Sequence, residues 1–454
     1  MSFASVNPAT GDALEEYPAH STDELDARLD RAVAGFETNR DRSLAERARR
    51  LERTADLLEE RADRYGALMT REMGKPVDQA EAEAEKCAWV CRYYAEHGAD
   101  FLADEPVETD AQTSYVAYEP LGPVLAVMPW NFPFWQLFRF GAPALMAGNT
   151  VLLKHAPNVP GCALAIEELL DDAGFVDQEL QALLIDEDAV ADVLADRRVR
   201  AATLTGSVGA GKAVAQQAAA QVKPTVLELG GSDPFIVCAD ADLEAAASVG
   251  CTARMQNNGQ SCIAAKRFIV EAPVANDFTE RFIEKVEALT IGDPQDPLTD
   301  IGPMARKDLR SEVHDQVERA IGEGALAAAG GHTIDREGFY YAPTVLTDVQ
   351  PGTVAFEEEI FGPVASVVVA DDAEHALTLA NDTRFGLGGS IFTEDREKGE
   401  RMARGLEAGC AFVNEMTKSD PRLPFGGIKD SGYGRELSRH GIREFVNAKT
   451  VWVE

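Results

Sequence analysis

The sequence predicts an α/β protein, a mainly parallel, doubly wound sheet followed by a second α/β block. Three observations lead there. From Thr113 onward short apolar runs alternate with helical segments, and strands alternating with helices imply a parallel sheet covered on both faces. The 454 residues are too many for one hydrophobic core, so two or three structural units are expected. With 45% hydrophobic and 26% charged residues, the composition is that of an ordinary folded globular chain.

The elements follow in order. The first hundred residues read as helix: Thr22 to Phe36 and Leu44 to Met73 repeat apolar positions every three or four residues, with Arg and Glu between them. At Thr113 the period changes, and TSYVAYEPLGPVLAVMPW reads as strand, turn, strand with Gly122-Pro123 as punctuation. Thr150 to Lys154 reads as a buried strand and Pro160 to Ala173 as a helix. Leu180 to Ile185, Ala201 to Leu204, Val226 to Leu229 and Phe235 to Val237 continue as strands. The second block runs from about Gly230 to about Gly432, and the closing EFVNAKTVWVE alternates like an edge strand. There is no internal repeat and no low-complexity region.

Charge and cysteine usage narrow the function classes. Asp and Glu total 77 against 43 Lys and Arg, a formal net charge of −34, and the acids are spread along the chain (EEYPAHSTDELD, LLDDAGFVDQEL, DPQDPLTD). Such a surface repels nucleic acid and anionic membranes, and it repels itself at low ionic strength. It suggests a salt-rich cytoplasm. No apolar run approaches a membrane span, since Val124 to Phe140 is broken by Pro129, Asn131 and Pro133. The opening MSFASVNPATGDALEEYP has neither a basic leader nor an apolar signal core, so a cytoplasmic location is expected. The seven cysteines form no paired CxxC framework, which favours a reducing compartment and argues against structural zinc or any other metal site. Cys87 and Cys91, at i and i+4, read as two half-buried thiols on one helix face.

Four segments carry chemistry. In NNGQSCIAAKRF, Cys262 is flanked by Gly259, Ser261 and Ala264, so little bulk blocks approach to the sulfur; a free cysteine alone is usually a small buried hydrophobe. In VLELGGSDPFIV, Glu228 sits among apolar strand residues and runs into Gly230-Gly231. A carboxylate buried there has either a specific partner or the raised pKa that suits a general base, and a cap on the following turn is the competing role. In MPWNFPFW two prolines stiffen the chain around Asn131, whose amide N–H can stabilise an oxyanion or simply serve a turn. In LTGSVGAGKAVA, Gly206, Ser207 and Gly211 lead from a strand into a helix whose free N–H groups suit a pyrophosphate. That spacing is neither GxGxxG nor a P-loop, and a Ser N-cap is common in α/β proteins.

Taken in order, PWNFP, LLKHAPN, LTGS, LELGG, GQSC, EEIFGP and PFGGIKDSGYGRE resemble the signature segments of the aldehyde dehydrogenase superfamily, from NPATG near the start to the final VWV. The resemblance implies a Rossmann-like cofactor domain (1–102 and 120–229), an α/β catalytic domain (230–432) and a small β oligomerisation segment (103–119 and 433–454). Its hairpin, Asp110 to Glu119 with the C-terminal strand, would serve a homodimer or homotetramer. It implies that the Cys262 thiolate attacks an aldehyde, that Asn131 and the Cys262 N–H hold the oxyanion, and that Glu228 activates the water that hydrolyses the thioester. Relatives that acylate coenzyme A typically lack this glutamate, so hydrolysis to an acid is expected. For the cofactor, it implies Lys154 and Glu359 on the ribose hydroxyls and Ser207 on the pyrophosphate. Trp130 lies alongside, Phe361 packs near the nicotinamide ribose, and Gly206, Gly211 and Leu229 are further cofactor-binding positions. Many NAD-specific relatives carry Glu three residues after the lysine; here that position is Pro157, so no carboxylate repels a 2′-phosphate and no hydroxyl binds one. NADP or NAD, with dual use, is the resulting expectation.

LLKHAPN and the short chain resemble the succinate semialdehyde dehydrogenase branch. Trp135 and Arg139, i and i+4 on one helix face, would line the tunnel to the sulfur, where a guanidinium suits a carboxylate-bearing substrate. Arg139 neutralising a nearby acid, with Trp135 only packing, is the plainer alternative. Ser261 and Ser419 match positions the branch uses for the same carboxylate. Glutarate semialdehyde fits the same logic, one methylene longer. Aliphatic, aromatic or betaine aldehydes are the alternative substrates, and Arg139 is a poor neighbour for the betaine cation. A non-catalytic protein of the same fold is the remaining class.

Overall fold

The computed structural model describes residues 2–175 and 179–454. Asp177, within the acidic run LLDDAGFVDQEL, lies outside the described residues.

The first large sheet has six strands in the order Gly432–Tyr433, Thr225–Glu228, Ala201–Thr205, Pro123–Met128, Thr150–His155, Leu180–Ala182. All pairs are parallel except the antiparallel Gly432–Tyr433 edge. The strands are short apolar runs such as PVLAVM and TVLLKH, nearly all buried, as expected where a parallel sheet is covered on both faces. The chain enters at the centre with Pro123–Met128 and steps outward through Thr150–His155 and Leu180–Ala182. It then crosses to the other side through Ala201–Thr205 and Thr225–Glu228. The carboxyl ends of Pro123–Met128 and Ala201–Thr205 therefore flank a topological switch point, where doubly wound sheets open a ligand crevice.

The second sheet has seven strands in the order Leu326–Ala329, Thr344–Thr347, Val364–Ala370, Ala265–Glu271, Asp233–Val237, Ser390–Phe392, Phe412–Val413. Alternate residues of its central strands feed two separate cores. Ile236, Ile269 and Val368 pack with the helix Ala373–Asn381 on one face, while Phe235, Phe268 and Val367 pack with Leu243–Met255 on the other. A third, antiparallel sheet pairs Thr113–Pro120 with Val446–Val453 in continuous register from Thr113↔Val453 to Pro120↔Val446. Val446–Val453 forms its outer edge.

Several sequence expectations need correction. The first hundred residues are not all helix, because Ser2–Val6 and Ala13–Pro18 pair antiparallel before the helix Thr22–Asp41 begins. Leu44 to Met73 is two helices, Leu44–Glu60 and Ala62–Met73, divided at Arg61 (φ −121°, ψ 20°). The two strands either side of Gly122-Pro123 are not partners: Thr113–Pro120 belongs to the three-stranded sheet and Pro123–Met128 to the six-stranded one. The strand expected from Leu180 to Ile185 ends at Ala182. Cys87 and Cys91 are fully rather than half buried, packed in the core of the long helix Val77–Phe101.

Candidate active site

The loop carrying Cys262 is built by three successive left-handed residues. After the helix Leu243–Met255, Asn257, Asn258 and Gly259 have φ of 54°, 57° and 71°. Asn tolerates this conformation better than most side chains, and Gly tolerates it freely, which explains the NNG run. A Cβ on Gly259 would strike the Gly362 backbone, so glycine is required twice over. The two asparagine amides hold the turn. Asn258 Nδ2 donates to the Gly74 and Pro303 carbonyls at 2.9 and 2.8 Å, and Asn257 Nδ2 donates to the Asn131 and Gln260 carbonyls at 2.9 Å each. Buried Arg254 donates to the Gly259 and Ile360 carbonyls at 3.0 and 2.8 Å, fixing the loop to the segment that bears Glu359 and Phe361.

Cys262 sits where two cavities meet. One, of about 360 Å³, is lined by Trp135, Arg139, Ser261, Ser419 and Cys262 among others. The other, of about 280 Å³, is lined by Trp130, Asn131, Gly206, Ser207, Leu229, Glu359, Phe361 and again Cys262. Burial pushes the Cys262 thiol up to about 11, against the pull of Arg139 and Lys266. Asn131 Nδ2 donates to the Gln260 carbonyl at 3.1 Å, which leaves its second N–H free. The Cys262 backbone N–H has no hydrogen-bond acceptor among the described residues. Asn131 and Cys262 line the same cavity.

Glu228 ends the strand Thr225–Glu228, buried, with neither carboxylate oxygen hydrogen-bonded among the described residues. Burial raises its pKa well above the carboxylate range, with Arg139 opposing and Glu436 reinforcing. It lines neither of these two cavities, although its neighbours Leu229 and Gly230 line the second.

The second cavity opens at the switch point. Ser207 caps the helix Val208–Ala220, its hydroxyl accepting from the Ala210 N–H at 3.2 Å. A Cβ on Gly211 would meet the Leu229 side chain at 2.5 Å, so this glycine lets helix and strand approach closely. Trp130 and Phe361 stand edge to face, ring centroids 5.8 Å apart. Glu359 pairs with Lys266 at 3.3 Å and accepts from the Gly231 N–H at 3.1 Å. Lys154 and Pro157 lie off this cavity's wall. Lys154 is buried at the end of Thr150–His155, where burial lowers its pKa and Glu187 and Asp186 oppose the fall. Pro157 lines a separate open groove with Asn158 and Glu187. A helix N-terminus, exposed peptide N–H groups and a half-buried carboxylate at one switch point fit a dinucleotide.

On the other side, Trp135 and Arg139 both face the first cavity from the helix Trp135–Ala147. The Arg139 guanidinium is ion-paired with buried Glu436, lies 3.4 Å from Thr205 Oγ1 and stacks 4.6 Å over Phe425. Burial opposes its charge, and Glu436, then Glu228, more than restore it. The Ser261 hydroxyl is buried without a hydrogen-bond partner among the described residues, and Ser419 Oγ accepts from Lys86 Nζ at 2.9 Å.

Four contributors escaped the sequence reading. Lys266 donates to the Ser261 and Cys262 carbonyls at 2.9 and 2.8 Å and so clamps the nucleophile loop. Arg254, Glu436 and Lys86 take partners from segments more than a hundred residues away, Ser419 being Lys86's. The sequence signal was local: KRF directly follows GQSCIAA, and Asn257-Asn258 directly precedes it.

The comparisons with known proteins agree with this geometry. A family model described as "Aldehyde dehydrogenase family" matches residues 1–451. The chain is similar to a probable succinate-semialdehyde dehydrogenase [NADP(+)] of Synechocystis sp., 55% identical over 453 residues and covering 100% of both chains. It is also similar to succinate-semialdehyde dehydrogenase [NADP(+)] 1 of Mycobacterium tuberculosis, 53% identical over 456 residues and again covering 100% of both. Among solved structures, the succinic semialdehyde dehydrogenase of Streptococcus pyogenes in complex with NADP+ superposes with a TM-score of 0.97 at 37% identity, covering 99% of each chain.

Proposed function

The chain belongs to the aldehyde dehydrogenase family, and from that premise we propose that it oxidises succinate semialdehyde to succinate with NADP or NAD. One observation carries the substrate. A protein of formal net charge −34 lines the cavity beside Cys262 with Lys75, Lys86, Arg139 and Lys418; Glu83, Glu436 and Glu415 pair with three of them, and Lys86 remains as an excess positive charge. Such a reversal of sign concentrates anionic substrates and disfavours a cationic one such as betaine aldehyde. The names of the 55% and 53% identical relatives point the same way.

In this reading the Cys262 thiolate forms a bond to the aldehyde carbon, and the carbonyl π pair moves to oxygen. The free Asn131 N–H and the Cys262 backbone N–H stabilise that oxyanion. Bound NAD(P) supplies the hydride acceptor. Cys262 is left holding the acyl group as a thioester. Glu228 takes a proton from water, the hydroxide oxygen bonds to the acyl carbon, and the carbon–sulfur bond breaks to return the thiolate. The raised pKa of Glu228 suits it to hold that proton near neutrality.

We propose further that residues 1–102 and 120–229 hold the cofactor, that 230–432 is the catalytic domain, and that 103–119 with 433–454 joins copies into a homodimer or homotetramer in the cytoplasm. The unpaired outer edge of Val446–Val453, with Trp452 exposed, supports the last point. No described helix is long and apolar enough to cross a membrane.

The test is reduction of NADP and of NAD with succinate semialdehyde beside propanal and betaine aldehyde. The reading expects kcat/KM for succinate semialdehyde to exceed that for propanal by roughly tenfold or more, the scale of one buried charged contact. Equal turnover of propanal contradicts it.

A further inference from the structure

The four cations of the substrate-side cavity are not equivalent. Lys75 is buried and ion-paired with Glu83. Arg139 is buried and ion-paired with Glu436. Lys418, at the rim, pairs with Glu415 at 2.7 Å. Lys86 alone has no carboxylate within ion-pairing distance among the described residues, although Glu83 and Asp420 act on it from further away. Its ammonium makes one hydrogen bond, to Ser419 Oγ at 2.9 Å, and lies 4.5 Å from the Trp135 ring centroid. Both of those partners line the same cavity as Cys262.

An ammonium has three donors, and among the described residues only one is engaged. The stem comes from the middle of Val77–Phe101, a 25-residue helix packed along its length, so the group is held on a rigid element. Burial, with the nearby Arg139 charge next, brings it down to about 8, which marks a cation poorly solvated and lacking a close counter-ion. A carboxylate entering the cavity gains most from such a group. The Arg139 guanidinium already has its acid.

We infer that Lys86, with Ser419 beside it, is a direct binding partner of the substrate carboxylate. This rests on the proposed succinate semialdehyde reading and names the residue that would carry its specificity. Trp135 would then wall the aliphatic stem, its ring already in contact with the ammonium.

Lys86 is also the cleaner position to test. Removing Arg139 leaves Glu436 buried without its partner, a loss that would report on folding. Removing Lys86 strands no close acid. The experiment compares succinate semialdehyde with butanal, which keeps four carbons and lacks the carboxylate, in the wild type, Lys86→Met and Lys86→Arg. The product succinate serves as a second probe, through its inhibition constant, and thermal melts check folding. The inference expects the ratio of kcat/KM for succinate semialdehyde over butanal to fall roughly tenfold or more in Lys86→Met, through KM rather than kcat. It expects succinate inhibition to weaken in parallel and both to recover in Lys86→Arg. A folded Lys86→Met that keeps the wild-type ratio within about twofold overturns the inference and leaves the substrate reading standing. A wild type that itself shows no preference for succinate semialdehyde overturns both.

Discussion

At the residue scale the chemistry rests on a sulfur whose protein surroundings hold it protonated. Burial raises the Cys262 thiol to about 11, so in the cofactor-free protein roughly one thiol in ten thousand is ionised at neutral pH. The sign follows directly: a raised pKa means that the reactive thiolate grows with every increment of pH below that value. Inactivation of the cofactor-free protein by iodoacetamide is therefore expected to accelerate nearly tenfold per unit between about pH 7 and 9. A plateau below about pH 8 would show that the thiolate forms far more readily than its burial allows. Cys262, Asn131 and Glu228 could be singled out only because their segments, taken together, resemble a family; each alone admitted a plainer role. Lys86 and Glu436 could not, because a lysine in EAEAEKC and a glutamate in GRELS look like surface residues until distant chain segments close over them.

At the element scale, legibility followed burial. Thr150–His155 and Ala201–Thr205 are buried throughout, so their apolar runs announce them. The hairpin of Ser2–Val6 and Ala13–Pro18 is mostly exposed or half-buried, so SFASV and ALEEYP carry little of the alternation that marks a strand. The break at Arg61 was hidden for a related reason: Leu57, Leu58, Tyr65 and Met69 all face the core, and the apolar stripe crosses the break without losing phase. Sheet membership is not a local property at all. Thr113–Pro120 and Pro123–Met128 are adjacent in the chain, yet the longer partner of the first lies over three hundred residues away at Val446–Val453. The turn at Asn257-Asn258-Gly259 is the opposite case, since its left-handed geometry is written in the residue types, and it positions the one side chain on which the mechanism turns.

At the scale of the whole molecule, 77 acids against 43 Lys and Arg make self-repulsion a general cost of the folded state. Raising KCl from about 0.1 M to 1 M shortens the Debye length from about 10 Å to about 3 Å, so Tm is expected to climb over that range. A flat or falling Tm would mean that the acids are individually compensated. Against this negative exterior, the substrate-side cavity and the switch-point crevice meet at a single sulfur, which in the proposed mechanism carries the acyl group of succinate semialdehyde. The most direct measurement is intact and peptide-mapped mass after mixing Glu228→Gln with succinate semialdehyde and NADP. Hydrolysis should be slowed by roughly a hundredfold or more, the usual contribution of a general base, so the thioester should accumulate. One added succinyl group is expected, on the peptide containing Cys262, and none in Cys262→Ser. An unmodified Cys262 in a Glu228→Gln protein that still turns over at the wild-type rate, or an acyl group found on another cysteine, would contradict the proposed mechanism.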